Sequence, residues 1–199
     1  MYRPAAFAVD DRSALDAFVD AQPFALIASA GAEGSAPVVT HAPVLREQDV
    51  LVCHLARPNP HCARLAAGAA TTVVFSGPHG YVSPRWYAAP HAVPTWNYTA
   101  VHCTVAPCEI EDAGELRAGM EAMVARFEPA PGIEDVVTPA TVDGMLRGIR
   151  GFRMTIRRCE GVFKLSQNRS GADRAGVVAR LEALGGDQAA LAALMRAGS

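Results

Sequence analysis

The segment Phe152–Arg158 alternates without interruption: Phe152, Met154 and Ile156 are apolar, and Arg153, Thr155 and Arg157 are polar. Successive side chains of an extended chain point to opposite faces, so this period of two demands a strand with one face in a core and one in water. Similar signals recur. Phe24–Ser29 reads as a first strand, followed by a turn at Gly31–Gly34, then strands at Pro37–Val44 and Val50–Ala56. In the last of these, Leu51, Cys53 and Leu55 share one face and Val50, Val52 and His54 the other. Thr71–Ser76 is a β-branched strand that Gly77-Pro78 is expected to close, and Tyr81–Ser83 a short strand ending at Pro84. After a loop with Pro90 and Pro94, Thr95–Val105 is a long strand with Trp96, Tyr98, Ala100, His102 and Thr104 on one face.

Helical segments sit between these strands. Ser13–Phe18 is short. Asn59-Pro60 reads as an N-cap followed by proline at the first helical position, with a helix through Leu65 that stops at Gly68. Asp112 with Glu115 resembles a capping box, and Leu116, Met120, Met123, Val124 and Phe127 form an apolar stripe behind it. Thr138-Pro139 starts a second helix to about Ile149, and Ser170 with Asp173 caps a last helix ending at Gly185-Gly186. Strands with helices inserted among them, rather than βαβ units, predict a mostly β chain with peripheral helices (α+β), an antiparallel barrel. Residues 1–199 are read as one domain, with a helical insert at about 112–150 and a C-terminal helix at about 172–184.

Charge and cysteine usage narrow the class. No apolar run approaches the roughly 20 residues that span a bilayer, and acids (Asp10, Asp11, Asp16) stand early in the chain, so a soluble, cytoplasmic protein without a membrane partner is expected. The five cysteines are odd in number and form no CxxC pair. Reduced, mostly buried thiols are therefore expected. A net charge of −2 excludes a generally basic nucleic-acid binder, although nine of the 18 Lys and Arg residues lie between Arg147 and Arg180. Lys164 is the only lysine. The six histidines show no HExxH or Cys/His ligand spacing, so no metal site is expected.

Three segments cluster polar and aromatic groups. In His54-Leu55-Ala56-Arg57-Pro58-Asn59-Pro60 a strand ends, an arginine follows and a helix opens, an arrangement suited to an anion. From Tyr81 to Tyr98, five aromatics are interleaved with Ser, Thr, Asn and Pro, as in a wall against a flat ring or a subunit interface. Lys164-Leu165-Ser166-Gln167-Asn168-Arg169-Ser170 combines two cations, two amides and two hydroxyls, which points to a ligand or an interface.

Together these segments resemble the PaiB-type family of FMN-binding negative transcriptional regulators. The resemblance rests on Met1-Tyr2-Arg3-Pro4 with Phe7, Thr40-His41-Ala42-Pro43, His54-Leu55-Ala56-Arg57 with Asn59-Pro60, Gly77-Pro78-His79 with Tyr81-Val82-Ser83-Pro84 and Trp86-Tyr87. It continues through Val93-Pro94-Thr95-Trp96-Asn97-Tyr98 with Val101-His102, Asp143-Gly144-Met145-Leu146, and Lys164-Leu165-Ser166-Gln167-Asn168-Arg169 with Asp173-Arg174. It implies a split β-barrel of the pyridoxamine-phosphate-oxidase-like type, a homodimer and FMN at the subunit interface. By position, His54, Arg57 and Asn59 would approach the FMN phosphate, and Ser76, Tyr81 and Ser83 would line the neighbouring strand. Trp96, Lys164, Gln167 and Arg169 would reach the cleft. The chain departs from the pattern at Pro58, where the family tends to have Ala, and at Cys103–Pro107, which lacks an aromatic-glycine ending.

The resemblance implies a negative regulator or flavin-linked sensor. No helix-turn-helix pattern with basic, base-reading side chains is visible, so a regulatory protein partner stands beside DNA as the expected target. A small FMN-dependent oxidoreductase is the alternative, with Lys164 or Arg169 beside the reduced flavin. A haem-binding split barrel is the second alternative.

Overall fold

Alternating burial builds the sheet. The computed structural model describes residues 1–89, 92–128 and 137–197. Its strands are β1 (Ala8–Val9), β2 (Phe24–Ser29), β3 (Val38–Pro43), β4 (Leu45–Glu47), β5 (Val50–Ala56), β6 (Thr71–Val82), β7 (Thr95–Ile110) and β8 (Ile149–Lys164). The helices are α1 (Arg12–Ala21), α2 (His61–Ala66), α3 (Ala113–Phe127), α4 (Pro139–Gly148), α5 (Gly171–Leu184) and α6 (Gly186–Ala197). The strands form an antiparallel sheet in the order β3-β2-β6-β7-β8-β5-β4, with β1 paired to β8. This is the split-barrel class with peripheral helices that the sequence predicts.

The chain divides into two compact units. One comprises Met1–Phe18, Ser76–His102 and Glu160–Ser199, and the other Val19–Phe75 and Cys103–Cys159. In the second unit, Ile27, Leu51, Leu65, Val73, Phe75, Phe152 and Met154 are fully buried. Each such side chain contributes about 1.5–3 kcal/mol by leaving water. In the first unit, α5 and α6 bury Val177, Leu181, Leu191 and Met195 with Val82, Tyr87 and Leu165.

Several expected boundaries move. Gly77-Pro78 does not end a strand: β6 runs on to Val82. Burial falls on Thr71, Val73, Phe75 and Gly77, then on Gly80 and Val82, so the alternation slips by one residue across Gly77-Pro78. That slip marks a bulge, which accommodates a proline without a donor and a glycine without a side chain. β7 likewise continues through Pro107 to Ile110. Gly185, at φ 73°, ends α5 as expected, but the chain then enters α6, which the sequence reading lacks. Pro90 of the expected loop and residues 129–136 of the helical insert lie outside the described residues.

The expectation of uniformly reduced cysteines fails at one pair. Cys103 and Cys159 form a disulfide, with Cα atoms 4.2 Å apart and a sequence separation of 56. They stand on neighbouring strands β7 and β8, a proximity that spacing along the chain does not reveal. Cys53 and Cys62 are buried free thiols, and burial pushes Cys53 up to about 12, which makes it unreactive. No helix among the described residues is long and apolar enough to cross a membrane.

Candidate functional site

In the second unit the turn between β5 and α2 carries Arg57 and Asn59. The Arg57 backbone N–H donates to the Gly148 carbonyl at 2.8 Å. Its Nε donates to the Arg147 carbonyl at 2.8 Å and its Nη2 to the Ile149 carbonyl at 2.9 Å. Those carbonyls belong to the C-terminal end of α4, which has no further helical N–H to satisfy them. Arg57 therefore closes α4 and anchors the turn to it, while its exposed Nη1 has no protein acceptor among the described residues.

The expected anion site at the α2 N-terminus is corrected by the structure. Pro60, not Asn59, is the capping residue, and α2 has only six residues. Its leading N–H groups are already engaged: His61 N–H donates to Asn59 Oδ1 at 2.9 Å, Cys62 N–H to the Asn59 carbonyl at 3.0 Å, and Ala63 N–H to the Pro60 carbonyl at 3.3 Å. The donors still open at this turn are on side chains. Asn59 Nδ2 donates one hydrogen to Thr40 Oγ1 at 3.3 Å, which leaves its second free.

Behind Asn59 lies a polar chain that the sequence reading lacks. His61 is fully buried. Its Nδ1 lies 2.9 Å from Thr40 Oγ1 and its Nε2 2.8 Å from Ser29 Oγ. Ser29 Oγ is 2.7 Å from Thr71 Oγ1, which donates to the Ala69 carbonyl at 2.7 Å. The strand register explains the convergence: Ser29 pairs with Thr71, and Thr40 pairs with Ile27, one alternation from Ser29. Burial lowers the His61 pKa, so the ring is held neutral. His54 is not part of this group. It lines a cavity of about 10 Å³ with Val52, Ile110, Leu116 and Met120, and burial lowers its pKa too.

Beside the turn, Arg150 grips Glu109 with two hydrogen bonds, one of 2.6 Å from Nε. The pair holds Glu109 below and Arg150 above their ordinary values, chiefly through that contact. Arg57 also draws Glu109 down, by charge alone.

The first unit holds the remaining predicted residues in three groups. Trp96 and Tyr81 are 54% and 47% exposed, with ring centroids 6.2 Å apart, edge to face, and His79 lies 6.2 Å from Trp96 on its other contact. Ser76 is exposed on β6. Ser83 caps the 3-10 turn Pro84–Trp86 by accepting from Arg85 N–H at 3.2 Å. Lys164 Nζ donates to Thr95 Oγ1 at 2.5 Å and lies 5.9 Å from the Phe7 ring centre.

Gln167 and Arg169 turn out to hold their own loop. Gln167 Oε1 accepts from Leu165 N–H at 2.7 Å, and its Nε2 donates to the Phe163 carbonyl at 2.5 Å. These bonds stabilise the left-handed Ser166, at φ 61°. The Arg169 guanidinium lies 4.7 Å above the Tyr87 ring. Two buried groups that are not among the expected site residues complete this region. Asn97 Nδ2 donates to Ser166 Oγ at 2.9 Å. Asp173 Oδ1 accepts from the Ala88 and Ala89 N–H groups at 2.8 and 2.9 Å. Among the described residues, no three His, Cys, Asp or Glu side chains converge so as to hold a metal ion.

Residues 1–158 match the family described as "Putative FMN-binding domain". The chain is 31% identical over 189 residues to "Protease synthase and sporulation protein PAI 2" of Bacillus subtilis (strain 168), covering 92% of this chain and 89% of that one. Among solved structures, it is similar to the flavocytochrome Anf3 of Azotobacter vinelandii, with a TM-score of 0.67, 18% identity and coverage of 86% of this chain and 73% of that one. It is also similar to the FAD and heme binding protein of Mycobacterium smegmatis, with a TM-score of 0.66, 20% identity and coverage of 90% and 80%. At these identities the structural likeness establishes the fold.

Proposed function

The chain belongs to the FMN-binding domain family, and we propose that it is a flavin-linked regulatory protein in which the β5–α2 turn holds the FMN phosphate. The observation that carries this reading is the pair of donors on that turn: the second Nδ2 hydrogen of Asn59 and the Nη1 of Arg57, both on side chains already anchored by other bonds. Anchored donors lose little freedom when an anion binds, which suits a phosphate monoester. The bound flavin would supply electron-transfer chemistry, and this chain's residues would bind and orient it. The regulatory part of the proposal is supported by the similarity over nearly the whole chain to the Bacillus sporulation protein.

The exposed pair Tyr81 and Trp96 supports a homodimer, because two large half-exposed aromatics on one sheet face form a surface of the kind that partner subunits cover. A second functional reading, an FMN-dependent oxidoreductase, is favoured by Lys164. Its ammonium is held in place by Thr95, and a fixed cation next to a flavin stabilises the negative charge of the reduced ring.

The test is a visible spectrum of the purified protein, followed by titration with FMN. Flavin absorption at near one FMN per chain, weakened by Asn59→Asp through charge repulsion with the phosphate, is the expected result. No bound flavin and no uptake would overturn the proposal. Rapid anaerobic bleaching by a nicotinamide donor, lost in Lys164→Met, would promote the oxidoreductase reading over the regulatory one.

A further inference from the structure

The hydrogens of the polar chain behind Asn59 can be assigned by elimination. A carbonyl only accepts, so the single hydroxyl hydrogen of Thr71 goes to Ala69. Ser29 must then donate to Thr71, and its oxygen accepts from His61 Nε2–H. A neutral imidazole protonated at Nε2 has a bare Nδ1, so the Thr40 hydroxyl donates to Nδ1 and accepts from Asn59 Nδ2–H. The Asn59 amide cannot be reversed, because its Oδ1 also accepts from His61 N–H. Every donor has one acceptor, and the order runs one way from Asn59 to the Ala69 carbonyl.

We infer that His61 is a positioning residue: its Nε2–H form turns the Thr40 hydroxyl so that its oxygen accepts from Asn59 Nδ2, which holds the amide in the orientation the His61 N–H selects and leaves one Nδ2 hydrogen for an anionic ligand. The identity of that ligand rests on the FMN reading; the hydrogen-bond order does not. A His61 that merely filled space would have no preferred tautomer, and an apolar residue of similar size would serve. Here each ring nitrogen meets a hydroxyl whose direction is already fixed, so only one tautomer satisfies the buried set.

Two measurements test this. In the ¹⁵N–¹H spectrum of the histidine rings of the flavin-free protein, His61 is expected with Nε2 protonated and Nδ1 bare at neutral pH. An Nδ1–H ring or a doubly protonated ring would overturn the inference. In FMN titrations, Thr40→Val removes the link while keeping the side-chain shape. It is expected to raise the Kd about tenfold, the loss expected when one hydrogen bond to a charged group is misplaced, with Thr40→Ser restoring it. Wild-type affinity in Thr40→Val would overturn the positioning role. If Thr40→Val does not fold, Ser29→Ala replaces it: removing the acceptor for Nε2–H should shift the ring toward Nδ1–H, and an unshifted tautomer would sink the inference. A wild-type protein that takes up no FMN would defeat the ligand assignment alone, since the ring spectrum still decides the hydrogen-bond order.

Discussion

Replacing Cys159 by alanine isolates the contribution of the Cys103–Cys159 bridge. Cys159 is partly exposed and Cys103 fully buried, so truncating Cys159 leaves little cavity and keeps the interior thiol in place. The bridge closes a loop with a sequence separation of 56, and the chain-entropy relation assigns such a loop roughly 4 kcal/mol, by restricting the unfolded chain. With a urea slope of about 2 kcal/mol/M, the unfolding midpoint should fall by about 2 M. The assay is equilibrium urea unfolding of wild type and Cys159→Ala, each with and without a thiol reductant. Reductant should move the wild-type midpoint to that of the variant and leave the variant unchanged. Coincident midpoints for all four samples would refute the reasoning, since a bridge across the two strands cannot be thermodynamically silent if the loop entropy is right. Thiol titration in denaturant checks the premise directly: three reactive cysteines of the five are expected before reduction and five after.

Three further outcomes follow from close contacts. A Cβ at Gly176 would lie 2.2 Å from the Trp86 carbonyl oxygen; backbone cannot swing aside, so Gly176→Ala should cost about 3 kcal/mol and lower Tm by roughly 6–12 °C, whereas Gly171→Ala, with open space around it, should leave Tm unchanged. Asp173 is held below the ordinary aspartate value of 3.8, first by the Ala89 N–H and also by Ser170, Ala88 and Arg169; its folded pKa is depressed, so its contribution is present above the unfolded value and disappears as pH falls through the folded one. The stability gap between wild type and Asp173→Asn should therefore be full at neutral pH and close in acid, and a gap constant down to strongly acidic pH would contradict it. If Tyr81 and Trp96 are covered by a second copy, Trp96→Glu should convert a dimer to a monomer in sedimentation velocity; a wild-type monomer would refute the dimer proposal.

The strand signals were legible because they are local. Phe152 and Met154 are buried where alternation places them, and Asp112, Thr138 and Ser170 each accept the backbone N–H three residues on. Boundaries failed where punctuation residues serve inside an element. Gly77-Pro78 has the composition of a turn, yet a bulge inside a strand also accommodates a glycine beside a proline. The same ambiguity hid the extension of β7 past Pro107. Helix α6 escaped because Gly185-Gly186 reads as a terminus, and the second glycine, at φ 53°, instead reverses the chain into another helix.

The candidate site divides along the same line. Asn59 was legible because its side chain acts within two residues of its own position, on His61 N–H. Arg57 was identified as a cation for a phosphate, but its nearest acceptors are carbonyls about 90 residues away, and only the fold brings those to it. His61 was invisible as a functional residue for a sharper reason. Its ring partners, Thr40 and Ser29, come from two different strands and Thr71 beyond them from a third, and each is an ordinary Ser or Thr within a strand, so no spacing marks them. Yet the Thr40 bond, with the His61 N–H, holds the Asn59 amide in one orientation, and so the legible residue depends on the illegible ones. Gln167 shows the converse: its polar character was plain in the sequence, but both ends of its amide are taken by Leu165 and Phe163. A Gln167→Ala variant should therefore change the Lys164–Arg169 loop before it changes any ligand contact. Proteolysis within that loop should rise first. Weaker FMN binding with an unchanged loop would show instead that the amide meets the ligand directly.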